Sequence, residues 1–265
     1  MPSLEVQRLS NGVRRLTLNR PHMRNAFNAE LTQAIMHEMH AAAHDPYTRV
    51  VLLEGTGSHF CAGGDMEWMR NILATTPAEK RIQAQAIANM YTTVYALPQP
   101  LVVAVQGAAI GGGFGLACCA DFVVAENTAK LGMTEPRLGI VPAAISPYVV
   151  AATGARVANR IALVGAAVDA RQAQEWGVVT HIVQTGKLNE AVAVVLQELL
   201  QCAPDAQYQT KALFRALSAG APSSTCIQQS VDALVQAWSQ PQATEGLNAF
   251  LSKRQPSWTP AVGME

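Results

Sequence analysis

The sequence predicts an α/β fold, on three observations. Short, apolar, valine-rich runs at Val50–Glu54, Leu101–Val105 and Phe122–Ala125 have the length and composition of buried strands. Each follows a helical stretch or a polar connection, the alternation that packs helices against a parallel sheet. Beyond residue 200 no strand pattern is evident, and helical stretches with loops continue to Glu265.

Taken in order, the elements justify that class. Leu4 to Leu9 alternates roughly, Asn11-Gly12 is a hairpin turn signal, and Val13 to Leu18 returns with apolar residues at every other position. Asn19-Arg20-Pro21 breaks the pattern. Asn28 then has the chemistry of a helix N-cap, ahead of Leu31, Ala34, Ile35, Met39 and Ala42 on one face. Glu67 to Tyr95 is expected as helix–loop–helix, with Thr75-Thr76-Pro77 as the break. Val178-Val179 and Ile182-Val183 form an expected last short strand, and Leu188 to Leu200 a long amphipathic helix. A boundary near residue 200 divides the chain into residues 1–200, a core, and 201–265, a helical region.

Composition excludes several function classes. Among 265 residues, 49% are hydrophobic and 14% charged, a globular balance. Nineteen Lys plus Arg against nineteen Asp plus Glu leave no basic excess for nucleic acid, and zero net charge favours self-association. Five cysteines, an odd number without Cys-x-x-Cys spacing, argue against a disulfide framework or a zinc site and for a reducing compartment. Cys118 and Cys119 are expected as small buried residues. No leader pattern stands at the start, and no apolar run reaches the ~18 residues of a membrane span. A cytoplasmic protein with no membrane or nucleic-acid partner is expected.

Three segments concentrate the chemistry. Cys61-Ala62-Gly63-Gly64-Asp65 follows the first valine-rich strand, and Gly111-Gly112-Gly113-Phe114-Gly115 follows the second. Glycine lets backbone approach a ligand, and the first N–H groups of a helix have no internal partner. Two such groups converging from different loops would bind a developing enolate oxygen. Neither loop is a dinucleotide or Walker A motif. Close packing of a helix on a sheet is the structural alternative for each loop. In the third segment, Gly132 to Pro142, Glu135 is a lone carboxylate among small and apolar residues. Burial would raise its pKa into a range useful for proton transfer, whereas pairing with Arg137 would make it a surface group.

These segments, in this order, resemble the crotonase superfamily, the enoyl-CoA hydratase/isomerase family. The resemblance also includes Leu18-Asn19-Arg20-Pro21, Asn25-Ala26, Ala120-Asp121, Glu245 to Phe250 and Lys253-Arg254. It implies a spiral of ββα repeats and a helical C-terminal region that forms trimers, often paired into hexamers. It also implies an oxyanion hole for a thioester carbonyl from the N–H groups of Gly64 and Gly112, with Glu135 as the catalytic carboxylate. Arg24 matches a basic position near the coenzyme A phosphates. Ala26, Ala62, Asp65 and Met66 fall on segments lining the adenine and pantetheine path. Phe250 and Lys253 match positions that reach the coenzyme from a neighbouring subunit, although Lys253 reads equally as a solvated helix charge. No cofactor or metal is implied, since coenzyme A is part of the substrate.

One departure narrows the expectation. Two-carboxylate hydratases of the family carry a glutamate two residues after the glycine triplet, where this chain has Gly115. A single glutamate would then take a proton from water and return it to the enolate, unless ordered water or a polar group of the substrate replaces the second acid. Gly115 would also leave room for a branched or carboxylated acyl chain. Leu138 to Val149 and Gly113 to Asp121 resemble bacterial hydratases of 3-methylglutaconyl-CoA and isohexenylglutaconyl-CoA. The expected activity is therefore hydration of a branched, carboxylated enoyl-CoA. A double-bond isomerase and a non-catalytic binding protein of the same fold are the rival readings.

Overall fold

Each valine-rich run becomes a strand, because β-branched side chains pack well on a pleated surface covered on both faces. The computed structural model describes residues 1–217 and 223–260; the helical reading of the chain at 218–222 and 261–265 lies outside the described residues. In chain order the strands are β1 (Leu4–Arg8), β2 (Val13–Leu18), β3 (Val50–Gly55), β4 (Leu101–Val105), β5 (Ala108–Ile110), β6 (Phe122–Glu126), β7 (Lys130–Gly132), β8 (Val168–Asp169) and β9 (His181–Val183). The helices are α1 (Ala29–His44), α2 (Met66–Leu73), α3 (Pro77–Ala96), α4 (Gly112–Cys119), α5 (Ser146–Thr153), α6 (Ala155–Val164), α7 (Ala170–Glu175), α8 (Leu188–Leu200), α9 (Pro204–Leu217), α10 (Ser224–Trp238) and α11 (Pro241–Leu251).

The larger sheet runs β1-β2-β3-β4-β6-β9, parallel throughout except for the β1–β2 hairpin. A smaller sheet runs β5-β7-β8. Successive units thus place one strand in each sheet, β4 with β5 and β6 with β7, and advance along both, which is the expected spiral of ββα repeats. The two-residue period of a strand divides the core. Leu16, Leu18, Val51, Leu53, Leu101 and Val103 face the helices that include α1 and α3, in one cluster. Val13, Val50, Leu52, Val102, Ala104 and Val124 face α8 in the other.

Local signals act as their chemistry predicts. Asn28 caps α1, its side chain accepting from the Leu31 N–H at 2.9 Å. Thr76 and Glu79 form a reciprocal capping box at the start of α3. Cys61, Cys118 and Cys119 are buried free thiols. One expectation needs correction. Val178 and Val179 are not strand residues; their N–H groups both donate to the Ala173 carbonyl and close the turn after α7. The whole smaller sheet escapes the sequence pattern, because strands of two or three residues are too short to show alternation. No helix among the described residues is long and apolar enough to cross a membrane.

The loop between β2 and α1 has an unusual backbone. Arg24 and Asn25 both adopt left-handed conformations, with φ of 50° and 56°. Asn25 is fully buried and pins the segment through its side chain. Its Oδ1 accepts from the Arg20 N–H at 2.9 Å, and its Nδ2 donates to the Thr56 and His59 carbonyls at 2.9 and 2.8 Å. We expect Asn25→Ala to cost on the order of 3 kcal/mol, since it strands buried backbone groups and puts a residue less tolerant of positive φ there. Urea denaturation checks this; a loss below about 1 kcal/mol would contradict it.

Candidate active site

Peptide geometry aims the two glycine loops. Phe27 bridges the first loop: its N–H donates to the Gly63 carbonyl and its carbonyl accepts from the Asp65 N–H, each at 2.8 Å. The Gly63 carbonyl and the Gly64 N–H belong to one trans peptide and point in opposite directions. With the carbonyl bonded to Phe27, the Gly64 N–H is turned into an adjoining cavity. Gly112 is the first residue of α4, so its N–H has no intrahelical partner. The Gly111 carbonyl accepts from the Gly115 N–H at 3.0 Å, which turns the Gly112 N–H back out of the helix.

The smaller sheet brings these loops together. The Cys61 N–H donates to the Ala108 carbonyl and the Ile110 N–H to the Cys61 carbonyl, both at 2.9 Å. The Gly111 N–H donates to the Gly132 carbonyl at 2.8 Å, joining the second loop to the segment that carries Glu135. Gly111 has φ of 52°, and a Cβ built there would sit 2.9 Å from Glu135 Oε1, so glycine is required for both conformation and space. Tyr91, buried on α3, donates its hydroxyl to the Gly112 carbonyl at 2.8 Å and holds that peptide in place.

Gly63, Gly64, Gly111, Gly112 and Glu135 line one cavity of about 290 Å³. Its other walls are mostly apolar: Met66, Trp68, Met69 and Ile72 of α2, one face of α3, and the segment from Leu138 to Ile145. Glu135 and Lys80 are the charged residues of this wall. Glu135 Oε2 is buried without a hydrogen-bond partner among the described residues. Burial raises the Glu135 pKa above its ordinary value, against a smaller opposing effect of nearby backbone N–H groups. Among the described residues no ion pair joins it to Arg137, which is exposed, so the surface-pair reading is set aside. Burial also pushes the Cys61 thiol up to about 12, which leaves it neutral.

The other sequence-predicted residues divide. Ala62 and Met66 line the cavity. Arg24 is exposed, and its carbonyl accepts from the Ala62 N–H at 3.0 Å, which places it next to the cavity wall. Ala26 is buried outside the lining, its carbonyl bonded by the Arg20 guanidinium. Asp65 is also buried and spent: it caps α2 through the Glu67 and Trp68 N–H groups and pairs with Arg20 at 2.9 Å. Phe250 and Lys253, at the end of α11, do not reach the cavity of their own chain.

Gly115 needs correction. Its missing side chain leaves no room for substrate, because a Cβ built there would lie 2.2 Å from Ile145 Cγ2 and 3.0 Å from Tyr91 Cε1. Ile145 fills the space and itself lines the cavity. Sequence reasoning missed Tyr91, Lys80 and Ile145. The spacing of Lys80, Gln83, Ala84, Ile87 and Tyr91 is a single helical face, but nothing in the pattern says that it borders a cavity. Gly115→Ala should cost about 1–3 kcal/mol through overpacking. Gly115→Ala with Ile145→Ala should cost less than the sum of the single changes. Thermal unfolding of the three variants checks this, and simple additivity would contradict the packing.

Comparison with known proteins agrees with this geometry. Residues 8–261 match the enoyl-CoA hydratase/isomerase family. The 2,3-dehydroadipyl-CoA hydratase of Escherichia coli K12 is 32% identical over 250 residues, covering 92% of this chain and 93% of that protein. The 1,2-epoxyphenylacetyl-CoA isomerase of the same organism is 30% identical over 260 residues, covering 96% and 97%. The structure of Pseudomonas aeruginosa AtuE matches with a TM-score of 0.92 at 35% identity, covering 97% of this chain and 100% of that one. Two glycine loops with outward amides, a half-buried carboxylate beside them and a match over nearly the whole chain lead to one conclusion: the chain belongs to the enoyl-CoA hydratase/isomerase family and has the crotonase fold.

Proposed function

We propose that this protein is a hydro-lyase that adds water across the α,β double bond of a branched, carboxylated enoyl-CoA, such as isohexenylglutaconyl-CoA or 3-methylglutaconyl-CoA. The observation that carries the reading is Glu135, a half-buried carboxylate with an unpartnered oxygen beside the Gly111 backbone. The thioester carbonyl would accept from the Gly64 and Gly112 N–H groups. Glu135 would take a proton from water as the hydroxide oxygen bonds to the β-carbon, and electrons would move to the thioester oxygen. The enolate would then take the proton back from Glu135 at the α-carbon. Fixed donors aimed at the developing oxyanion supply a few kcal/mol each in a water-poor site. Coenzyme A arrives on the substrate, and no other cofactor enters the proposed reaction.

Two further assignments belong to the same proposal. Apolar residues are exposed on α10 and α11, among them Ile227, Val231, Trp238, Leu247 and Phe250. Several exposed apolar side chains on two neighbouring helices suit association, and we assign them to a homotrimer or a dimer of trimers. In that assembly Phe250 and Lys253 would meet the coenzyme of a neighbouring subunit, with Arg24 at the phosphates. Buried, unpaired thiols suit a cytoplasmic setting. The rival enzymatic reading is double-bond isomerisation, which one carboxylate also supports.

Glu135→Gln should lower kcat roughly 100-fold to 10,000-fold while coenzyme A thioesters still bind. In the unmodified enzyme the carboxylate is the active form. Activity therefore rises with pH through the raised Glu135 value, and the acid limb of kcat/KM should lie above the ~4.3 of free glutamate. Incorporation of labelled solvent oxygen into product separates hydration from isomerisation. Activity of the Gln variant within a few-fold of the original, or product without solvent oxygen, would refute the hydratase assignment.

A further inference from the structure

Among the described residues, Lys80 is the one cation in the cavity wall. It is half-buried on α3, yet makes no ion pair or side-chain hydrogen bond among the described residues. Its neighbour Glu79 is engaged elsewhere, bonding the Thr76 N–H and hydroxyl at 2.9 and 2.7 Å. Lys80 also sits one turn from the N-terminus of α3, where the helix dipole opposes a positive charge and favours a negative one. An ammonium in such a place, against an apolar wall, gains from an anion that the chain itself does not provide.

The face of α3 gives the direction. Lys80, Gln83, Ala84, Ile87 and Tyr91 succeed one another along the cavity, and Tyr91 touches the Gly112 peptide. Eleven residues separate Tyr91 from Lys80, about 16 Å of helix. The reacting carbonyl and Lys80 therefore occupy opposite ends of the same wall, with Ala84 and Ile87 offering apolar contact between them and Gln83 adding an amide beside the cation.

We infer that Lys80, assisted by Gln83, is the recognition site for a free carboxylate on the acyl group, and so selects dicarboxylic over monocarboxylic acyl-CoA thioesters. This rests on the proposed function for the identity of the thioester site, but it concerns binding and needs no turnover. A carboxylate there would form a charge-assisted bond with the ammonium while its hydrocarbon crosses the apolar stretch. A monocarboxylic chain would leave Lys80 unpaired.

Calorimetric titration with saturated, unreactive thioesters long enough to span that wall tests it: suberyl-CoA and sebacyl-CoA against octanoyl-CoA and decanoyl-CoA. The wild-type protein should prefer the dicarboxylic member of each size by at least about ten-fold in Kd for one pair. Lys80→Met should bring that ratio close to one, and Lys80→Arg should retain most of it. A wild-type ratio near one, or a ratio that survives Lys80→Met, overturns the assignment. Equal weakening of all four thioesters by Lys80→Met also overturns it, because Lys80 would then hold the coenzyme phosphates. A dicarboxylate preference in a protein that adds no water would leave this inference standing and remove the hydratase reading, so the two failures are separable.

Discussion

A trans peptide points its carbonyl and its N–H in opposite directions, and the site depends on that constraint at two places. The Gly63 carbonyl is bonded to Phe27, and the Gly111 carbonyl to the first turn of α4. Each bond turns an amide outward toward the cavity, so the two donors proposed for the thioester oxygen are oriented by hydrogen bonds on their far sides. Neither donor depends on a mobile side chain. The short strands of the smaller sheet do the rest, since they bind the Cys61 segment, the Gly111 segment and the Gly132 segment into one unit.

The second constraint is electrostatic. A carboxylate in a mostly apolar cavity is poorly solvated, and Glu135 gains little from its surroundings beyond nearby backbone N–H groups. Its raised proton affinity comes from that placement, which is what the proposed proton exchange with water and carbon requires. Stability and function pull apart here. The same burial that tunes Glu135 leaves Oε2 without a partner among the described residues. The cost is borne at the site itself, in a fold whose buried apolar residues gather in two clusters.

Much of the fold is legible in the sequence because its signals are local. The Asn11-Gly12 turn, the Asn28 cap, the Thr76-Pro77 break and the valine runs each act within a few residues. The roles proposed for Gly64, Gly112 and Glu135 come from a resemblance spanning the chain, with spacing alone leaving each residue open. What escapes is non-local. Strands β5, β7 and β8 exist only as partners to one another, and Gly115 looks roomy until Ile145, thirty residues on, is seen to fill it. Asp65 falls on a segment expected to line the coenzyme path, and its carboxylate is taken up by helix capping and Arg20. Lys80 belongs to an ordinary polar helix by pattern, and only the cavity distinguishes it.

The central claim, that the Gly64 and Gly112 amides jointly receive a thioester oxygen beside Glu135, is tested most directly by a crystal structure with bound butyryl-CoA. The thioester oxygen should lie about 2.7–3.1 Å from both amide nitrogens, with the Glu135 carboxylate facing the α- and β-carbons of the acyl chain. A thioester oxygen bonded to neither amide, or an acyl chain outside this cavity, would contradict the account.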